Sequence, residues 1–272
     1  MRRTLRQITS DRAAPARNMT GTHFIQIIDY AQTNLNGRSD DKIHDAMSLI
    51  EDAVISTFVS IFTNNLLRER LHRAGVIDEI EYINFSNVHV NLPASVEEKI
   101  FISFDAYSTV FNPERRRVTT LILWEINTRI NKYDVKRKFV NFGLDRVHFV
   151  RKSINEVKEA LNKENIEVEN FVYVVLAPLD RYDVAGLAAV AEEKNITFIF
   201  IDYNKLEDVF DRTVIEAYIT KRKKKRPDIW RIFSEHLEGA GLTLDDVIEV
   251  YVPQPAPTVV DEVPEHVEIP SV

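Results

Sequence analysis

Residues 117–130 read RVTTLILWEINTRI and alternate between two sides with the two-residue period of a β-strand. Both sides are mainly apolar, but on one of them Leu121 and Leu123 are followed by Glu125 and Asn127. An apolar stretch of this kind predicts a strand buried inside a sheet. The sequence therefore places a carboxylate in the middle of a largely buried strand.

A second alternating stretch, Glu98–Val110, comes just before it, and the two are separated by Asn112-Pro113, which favours a loop. Two such strands joined by a short loop predict an antiparallel hairpin. Alternation places Ile100, Ile102, Phe104 and Ala106 on one side of the first strand, and Phe101, Ser103, Asp105 and Tyr107 on the other.

The flanking sequence predicts further helices and strands. A helical period runs from Ser39 to Gly75, where the glycine should end the helix, and Glu81–Val90 reads as a strand. Downstream, we predict helices over residues 132–142, 153–163, 182–194, 205–220 and 227–237, and strands over 171–177 and 196–202. This alternation indicates an α/β fold in which helices cover a mixed sheet.

Composition limits the kinds of protein that the chain can be. Its 272 residues are 44% hydrophobic, which suffices for a packed core, and it has no Cys, which excludes disulfides and thiolate zinc sites. We expect no membrane segment, because no apolar run approaches the roughly 20 residues needed to cross a bilayer. A cytoplasmic location is expected, and the scarcity of Gly beside many charged and β-branched residues is typical of a thermophile.

Charge is unevenly distributed along the chain. The net charge is -7, yet residues 110–152 hold eleven Lys or Arg and four acidic residues, and Lys221–Arg226 is an uninterrupted basic run. Met1–Thr20 carries five Arg and one Asp, the bias of a transit peptide, but the lack of an apolar face beyond Leu5 and Ile8 favours a flexible basic arm. Such polarisation lets an acidic protein present a basic surface to phosphates, although solvated basic helix faces are also common.

Asp105 and Glu125 are the residues most suggestive of chemistry. Carboxylates in mid-strand positions are costly to bury unless they are paired, hydrogen-bonded or bound to a metal ion. Two of them on neighbouring strands would suit Mg²⁺, or Mn²⁺, which bind oxygen ligands and keep several waters. The alternative is that Asp105 lies in solvent at a strand edge while Glu125 pairs with Arg129.

The order of these elements resembles the core of the PD-(D/E)XK nuclease superfamily, also called restriction-endonuclease-like. The similarity rests on the strand with Asp105, the strand LILWEIN at 121–127, and a basic helix containing DVKR at 134–137. The strand FVYVVLA at 171–177, an alanine-rich helix and the strand NITFIF at 195–200 extend it. The resemblance covers about Ser39–Asp202.

The resemblance implies a metal-dependent hydrolysis site. Asp105 and Glu125 match the two metal-binding acids of that family, in which a lysine two residues after the second acid helps to orient the attacking water. This chain has Asn127 at that place. A neutral amide can position a water but supplies no positive charge.

Basic residues nearby are candidates to replace that lysine or to contact DNA. Lys132 and Lys136 on the following helix could supply the missing cation, with Lys136 taken as the catalytic candidate, and Arg129 shares a strand face with Asn127. DNA binding is assigned to Arg129, Lys132, Lys136, Arg137 and Lys138. A solvated helix face is the alternative for each of them.

Other catalytic classes find no support in the sequence. It contains neither a G-x-x-x-x-G-K-[ST] loop nor a G-x-G-x-x-G turn, and its seven His show no H-x-x-x-H pair. No strand-to-helix elbow for a catalytic serine is recognisable. Nucleotide-dependent, zinc-dependent and serine-hydrolase activities are therefore not expected.

Four segments follow from these patterns. Residues 1–38 form a basic arm with a short helix, 39–204 the α/β core, 205–250 a C-terminal helical extension with the basic run, and 251–272 a Pro-rich acidic tail expected to be disordered. Three functions stay open: a Mg²⁺-dependent DNA nuclease, an inactive nuclease-like protein that binds DNA or assembles with proteins, and a structural component without nucleic acid. A homo-oligomer and a protein partner bound through the tail are compatible with each.

Overall fold

The computed structural model describes residues 66–95, 100–127, 135–160, 166–209 and 228–254, together with positions 59, 62, 212 and 216. The predictions for the basic arm, the first part of the long helix, the basic run Lys221–Arg226 and most of the tail lie outside these residues. No helix in the described ranges is long and apolar enough to cross a membrane.

Six strands form one mixed sheet in which sequence order and spatial order agree. The β1–β2, β2–β3 and β5–β6 pairs are antiparallel, and the β3–β4 and β4–β5 pairs are parallel. The strands are β1 (Tyr82–Ser95), β2 (Ile100–Asn112), β3 (Arg117–Ile126), β4 (Ile166–Ala177), β5 (Thr197–Asp202) and β6 (Ile248–Tyr251). The predicted mixed sheet and the β2–β3 hairpin are confirmed.

Helices connect and cover the strands. They are α1 (Leu67–Arg73), α2 (Lys136–Leu144), α3 (Asp145–Lys152), α4 (Ile154–Ala160), α5 (Arg181–Glu193), α6 (Ile229–Ala240) and α7 (Leu244–Val247), and residues 203–209 are also helical. The predicted stop after α1 is confirmed, since Gly75 adopts the left-handed conformation with φ +70° that a residue with a Cβ rarely adopts. Asp180 begins α5 by accepting a hydrogen bond from the Asp183 N–H.

The sheet lies between two helical layers, because alternate residues of its central strands pack into different hydrophobic clusters. Ile122 and Trp124 of β3 belong to the first cluster, with α1, residues 203–209 and α6. Leu121 and Leu123 belong to the second, with α2, α3 and α5. Glu125 continues the side of Leu121 and Leu123, and therefore faces the layer that contains α2.

Strand β2 does not alternate as expected. Ala106 and Val110 lie in the first cluster, but Ile102 and Phe104 join Tyr107 in the second. The β2–β3 ladder ends at the pair Ala106 and Trp124, and the part of β2 before it pairs with β1 alone. Because this part of β2 is not paired with β3, the β1–β2 hairpin can pack towards the second cluster. There β1 contacts α3 and α4.

Several elements differ from the sequence predictions, among them β1, which extends to Ser95 instead of Val90, and the short helix α7, which was not predicted. Strand β4 begins at Ile166 instead of Phe171, because its charged first residues already pair with β3, where Ile166 lies opposite Val118. Ion pairs of Arg117 with Glu167 and of Arg115 with Glu169 accompany this pairing. Helix α3 was not predicted at all. Strand β6 was also missed, because its four residues are too few to predict a strand, although Ile248 and Val250 pack into the first cluster.

Candidate functional site

The end of the β2–β3 ladder brings Asp105 and Glu125 together. Both residues come one position beyond the last paired residues, Ala106 on β2 and Trp124 on β3, in an antiparallel register that places them opposite each other. Where the backbone ladder stops, Oδ2 of Asp105 accepts a hydrogen bond from the Ile126 N–H at 2.6 Å. The Asp105 side chain thereby pins the two strands together beside Glu125.

Burial and the neighbouring acid make Glu125 unusually hard to ionise. Its pKa is raised from 4.5 to about 8, first by burial and then by the Asp105 carboxylate, while Arg146 and Lys138 act in the opposite direction. A buried carboxyl group whose pKa is raised by a neighbouring carboxylate favours binding of a proton or a cation beside it. Such perturbed acids in a cleft are typical of functional sites.

An open cavity of about 370 Å³ lies over Glu125. Its walls are Arg137 and Lys138 of α2, Phe142 near the end of the same helix, and Arg146 of α3. Arg146 is anchored to β2, because its guanidinium donates a hydrogen bond to the Ser103 carbonyl at 3.1 Å. The cavity thus has an acidic floor and a rim with three cations.

Tyr173 of β4 is close enough to Glu125 and Asp105 to be influenced by their charges. The residue is fully buried, and among the described residues its hydroxyl has no hydrogen-bond partner. Burial, followed by Glu125 and Asp105, raises the pKa of this phenol well above 10.0, which keeps it protonated as a hydrogen-bond donor. A buried hydroxyl is costly to leave without a partner, so a water or polar ligand that reached it would stabilise this part of the sheet.

Gly143 allows the helical layer to approach Tyr173. A Cβ at this position would lie 2.5 Å from Cζ of Tyr173 and closer still to the hydroxyl oxygen. Gly143 is the next-to-last residue of α2, whose hydrogen bonding is π-helical. The glycine therefore sets how closely the cationic rim sits over the two acids.

The residues predicted from the sequence divide into three groups. Glu125, Arg137 and Lys138 line the cavity, and Asp105 lies opposite Glu125 on the neighbouring strand. Lys136 is exposed on α2 and does not line the cavity, and Asn127, just past the end of β3, donates its N–H to the Leu176 carbonyl at 2.8 Å. Arg129 and Lys132 lie outside the described residues.

Phe142, Arg146 and Tyr173 were not identified from the sequence. The spacing of Phe142 and Arg146, four residues apart in a helix, gives a local signal for a cation over an aromatic ring. Tyr173 gives no such signal, because a tyrosine in the apolar strand FVYVVLA reads as an ordinary core residue.

The donor set suits a hard divalent cation. Asp105 and Glu125 offer carboxylate oxygens, and no group of three or more His, Cys, Asp or Glu able to hold a metal occurs within the described part of the chain. An ion bound here would take two protein carboxylates and complete its coordination with water, which is how Mg²⁺ commonly binds. The buried Tyr173 hydroxyl fits this arrangement as a donor or acceptor for such a water.

The pKa of Glu125 predicts how stability depends on pH. Because this pKa is about 8 in the folded protein and 4.5 ordinarily, the folded state holds the proton more tightly between these values. We expect Glu125 to make unfolding progressively easier as pH rises from 4.5 to about 8 in metal-free protein. Urea denaturation across this range should show a flatter pH dependence for Glu125→Gln, and identical slopes for both proteins would contradict the assignment.

No protein-family model, no curated protein and no solved structure matches the chain. Its function therefore has to be inferred from the chemistry of the cavity and the residues around it.

Proposed function

We propose that the chain is a divalent-metal-dependent nuclease, related to the PD-(D/E)XK superfamily, that hydrolyses phosphodiester bonds in DNA. The observation that carries the proposal is the pair of opposed carboxylates, Asp105 and Glu125, at the end of the β2–β3 ladder beside a cavity with a rim of cations. Acids that can share a metal ion, next to cations that can bind a phosphate, are the two requirements of this reaction.

The order of elements supports a restriction-endonuclease-like arrangement. Three antiparallel strands, β1 to β3, lead through helices to two parallel strands, β4 and β5, with α5 between them. The two acids lie on β2 and β3, the positions that the resemblance implies. Fold alone does not define activity, so the site chemistry has to support the reaction.

Each group at the cavity has a role in this reaction. A divalent ion held by Asp105 and Glu125 would supply Lewis-acid polarisation of the phosphate and a more acidic bound water. Arg137 and Arg146 would bind the phosphate oxygens and neutralise their charge. Tyr173 would hold a water at the floor of the site, and the buried surroundings would strengthen each of these interactions.

Asn127 occupies the position where the resemblance implies a lysine, and Lys138 is the residue best placed to supply that positive charge instead. Its charge acts on Glu125 and its side chain lines the cavity, whereas Lys136 on the same helix is exposed and does not. A lysine there would reach the reacting phosphate from the helix rather than from β3. The Lys138 ammonium group, supplied from α2, would offset the negative charge that develops during hydrolysis.

Substitution of these two lysines tests the proposal. With linear, supercoiled and branched DNA and with Mg²⁺ or Mn²⁺, we expect metal-dependent cleavage that EDTA abolishes. Lys138→Ala should lower the cleavage rate by about 100-fold, a typical loss for one charge-stabilising donor, while the matched Lys136→Ala should change it by less than about threefold. A larger loss for Lys136→Ala would place the catalytic cation elsewhere.

A second function is supported by Asn127. If the loss of the motif lysine has inactivated the site, the protein binds DNA through the same cationic rim without cutting it. Wild-type protein would then bind DNA with a steep salt dependence but show no cleavage with either metal. Lys138→Ala would weaken binding and flatten the salt slope by roughly one unit.

A further inference from the structure

An exposed aromatic ring stands among the cations of the cavity. Phe142 is 41% exposed, and the guanidinium carbons of Arg146 and Arg137 lie 4.8 Å and 5.8 Å from its ring centroid. The exposure of a large apolar side chain at the mouth of a cavity is a feature that binding sites commonly show. A simple phosphate site would need the cations but not the ring.

The two arginines are held differently. Arg146 is half-buried and tied to the Ser103 carbonyl, whereas Arg137 is exposed and close to the 6 Å limit of a cation–π contact. Arg137 can therefore turn away from the ring towards a phosphate at little cost. With Arg146 still against the ring, this movement would free the part of Phe142 that Arg137 covers, so that another flat group could stack there.

The size and charge of the cavity fit one nucleotide unit. Its volume of about 370 Å³ lies within the range of small-ligand pockets, and three cations surround the single carboxylate among its lining residues. An aromatic face beside cations complements a ligand that joins a flat base to a phosphate. A base can reach that face only when it is unstacked, since the bases of a duplex are covered by their neighbours.

We infer that the cavity binds an unpaired nucleotide of a single-stranded DNA segment, with its base stacked on Phe142 and its phosphate held by Arg137 and Arg146. This inference rests on the proposed function and narrows its substrate to DNA that has unpaired bases near the site of cleavage. The phosphate would then lie directly above Asp105 and Glu125.

Binding in EDTA, which prevents cleavage, isolates this interaction. We expect wild-type protein to bind a single-stranded oligonucleotide more tightly than the matched duplex and to change the fluorescence of a 2-aminopurine placed within it. Phe142→Leu, which keeps an apolar side chain at an exposed position, should weaken single-strand binding by about 5- to 100-fold, the range expected for loss of one stacked base. Phe142→Tyr should restore it.

Phe149 on α3 provides the matched control. It is 50% exposed but does not line the cavity, so Phe149→Leu should leave single-strand affinity within about twofold of wild type. Equal losses in both leucine variants, or an unchanged affinity in Phe142→Leu, would overturn the inference. So would equal wild-type affinity for single strand and duplex.

The outcomes separate this inference from the proposed function. Metal-dependent cleavage of duplex DNA without single-strand preference would leave the nuclease in place and remove the stacked nucleotide. Absence of binding to either DNA at low salt would remove both, and the metal site could still be measured without nucleic acid.

Discussion

Glu125→Gln is expected to lower metal-dependent DNA cleavage by about 1000-fold. Charge stabilisation by a catalytic metal ion contributes several kcal/mol to the transition state, and each 1.36 kcal/mol corresponds to a tenfold change in rate. Gln keeps the shape of the side chain but cannot supply a second carboxylate beside Asp105. Single-turnover cleavage with saturating Mg²⁺ or Mn²⁺ measures this loss directly.

The fold should tolerate this substitution. A neutral amide at position 125 removes the buried charge that disfavours the folded state above the pKa of Glu125, so thermal stability at pH 8 should not fall. Glu193→Gln, at an exposed position at the end of α5, is the matched control and should leave the cleavage rate unchanged. Persistent cleavage by Glu125→Gln would mean that the acids of the active site lie elsewhere.

Gly143→Ala is expected to lower the free energy of unfolding by about 1–3 kcal/mol, the usual cost of overpacking a tight core position. The added methyl group would collide with the buried Tyr173 ring, and either α2 or the ring would have to move. Such a movement would also shift Lys138 and Phe142 relative to Glu125. Chemical denaturation of the variant measures the loss of stability.

Gly186→Ala separates this contact from the general effect of helix propensity. Gly186 lies in α5, and no atom would come within 4 Å of a Cβ there, so the substitution should stabilise the protein by about 0.5–1 kcal/mol. Opposite signs for the two glycines are therefore expected. If Gly143→Ala were stabilising as well, the close approach of α2 to Tyr173 would be contradicted.

The sheet could be predicted because its buried strands carry their own pattern. The alternation in residues 117–126 correctly assigned the two faces of β3, and the apolar runs located β4 and β5. The alternating pattern failed at the start of β4 and along β2. Charged residues paired across the sheet concealed the start of β4, and the departure of β2 from β3 beside Asp105 broke the alternation expected for that strand.

The missed helix has a specific physical origin. The sequence suggested a helix ending near Phe142 and a new one from Ser153, but the structure continues through Gly143 into α3. A glycine usually weakens a helix, yet here the absence of a side chain is what permits contact with Tyr173. Tertiary packing thus determines the course of this segment.

The candidate site, like the fold, could be predicted only where a local sequence pattern records it. Asp105 and Glu125 could be proposed from two adjacent strands, because hairpin geometry alone brings them side by side. Arg146 and Tyr173 could not, since α3 and β4 bring them near Glu125 through tertiary packing that no local pattern records. The choice between Lys136 and Lys138 also required the orientation of α2 over the sheet.

Mn²⁺ binding by the metal-free protein tests the central claim most directly, because it needs neither DNA nor catalysis. Isothermal titration at pH 8 should show a single site in the wild type, with affinity that increases between pH 6 and 8 as Glu125 loses its proton (pKa about 8). Asp105→Asn and Glu125→Gln should each weaken binding by at least about tenfold, because one remaining carboxylate holds a divalent ion poorly. Absence of Mn²⁺ binding by the wild type, or undiminished binding when both acids are replaced, would contradict the metal site.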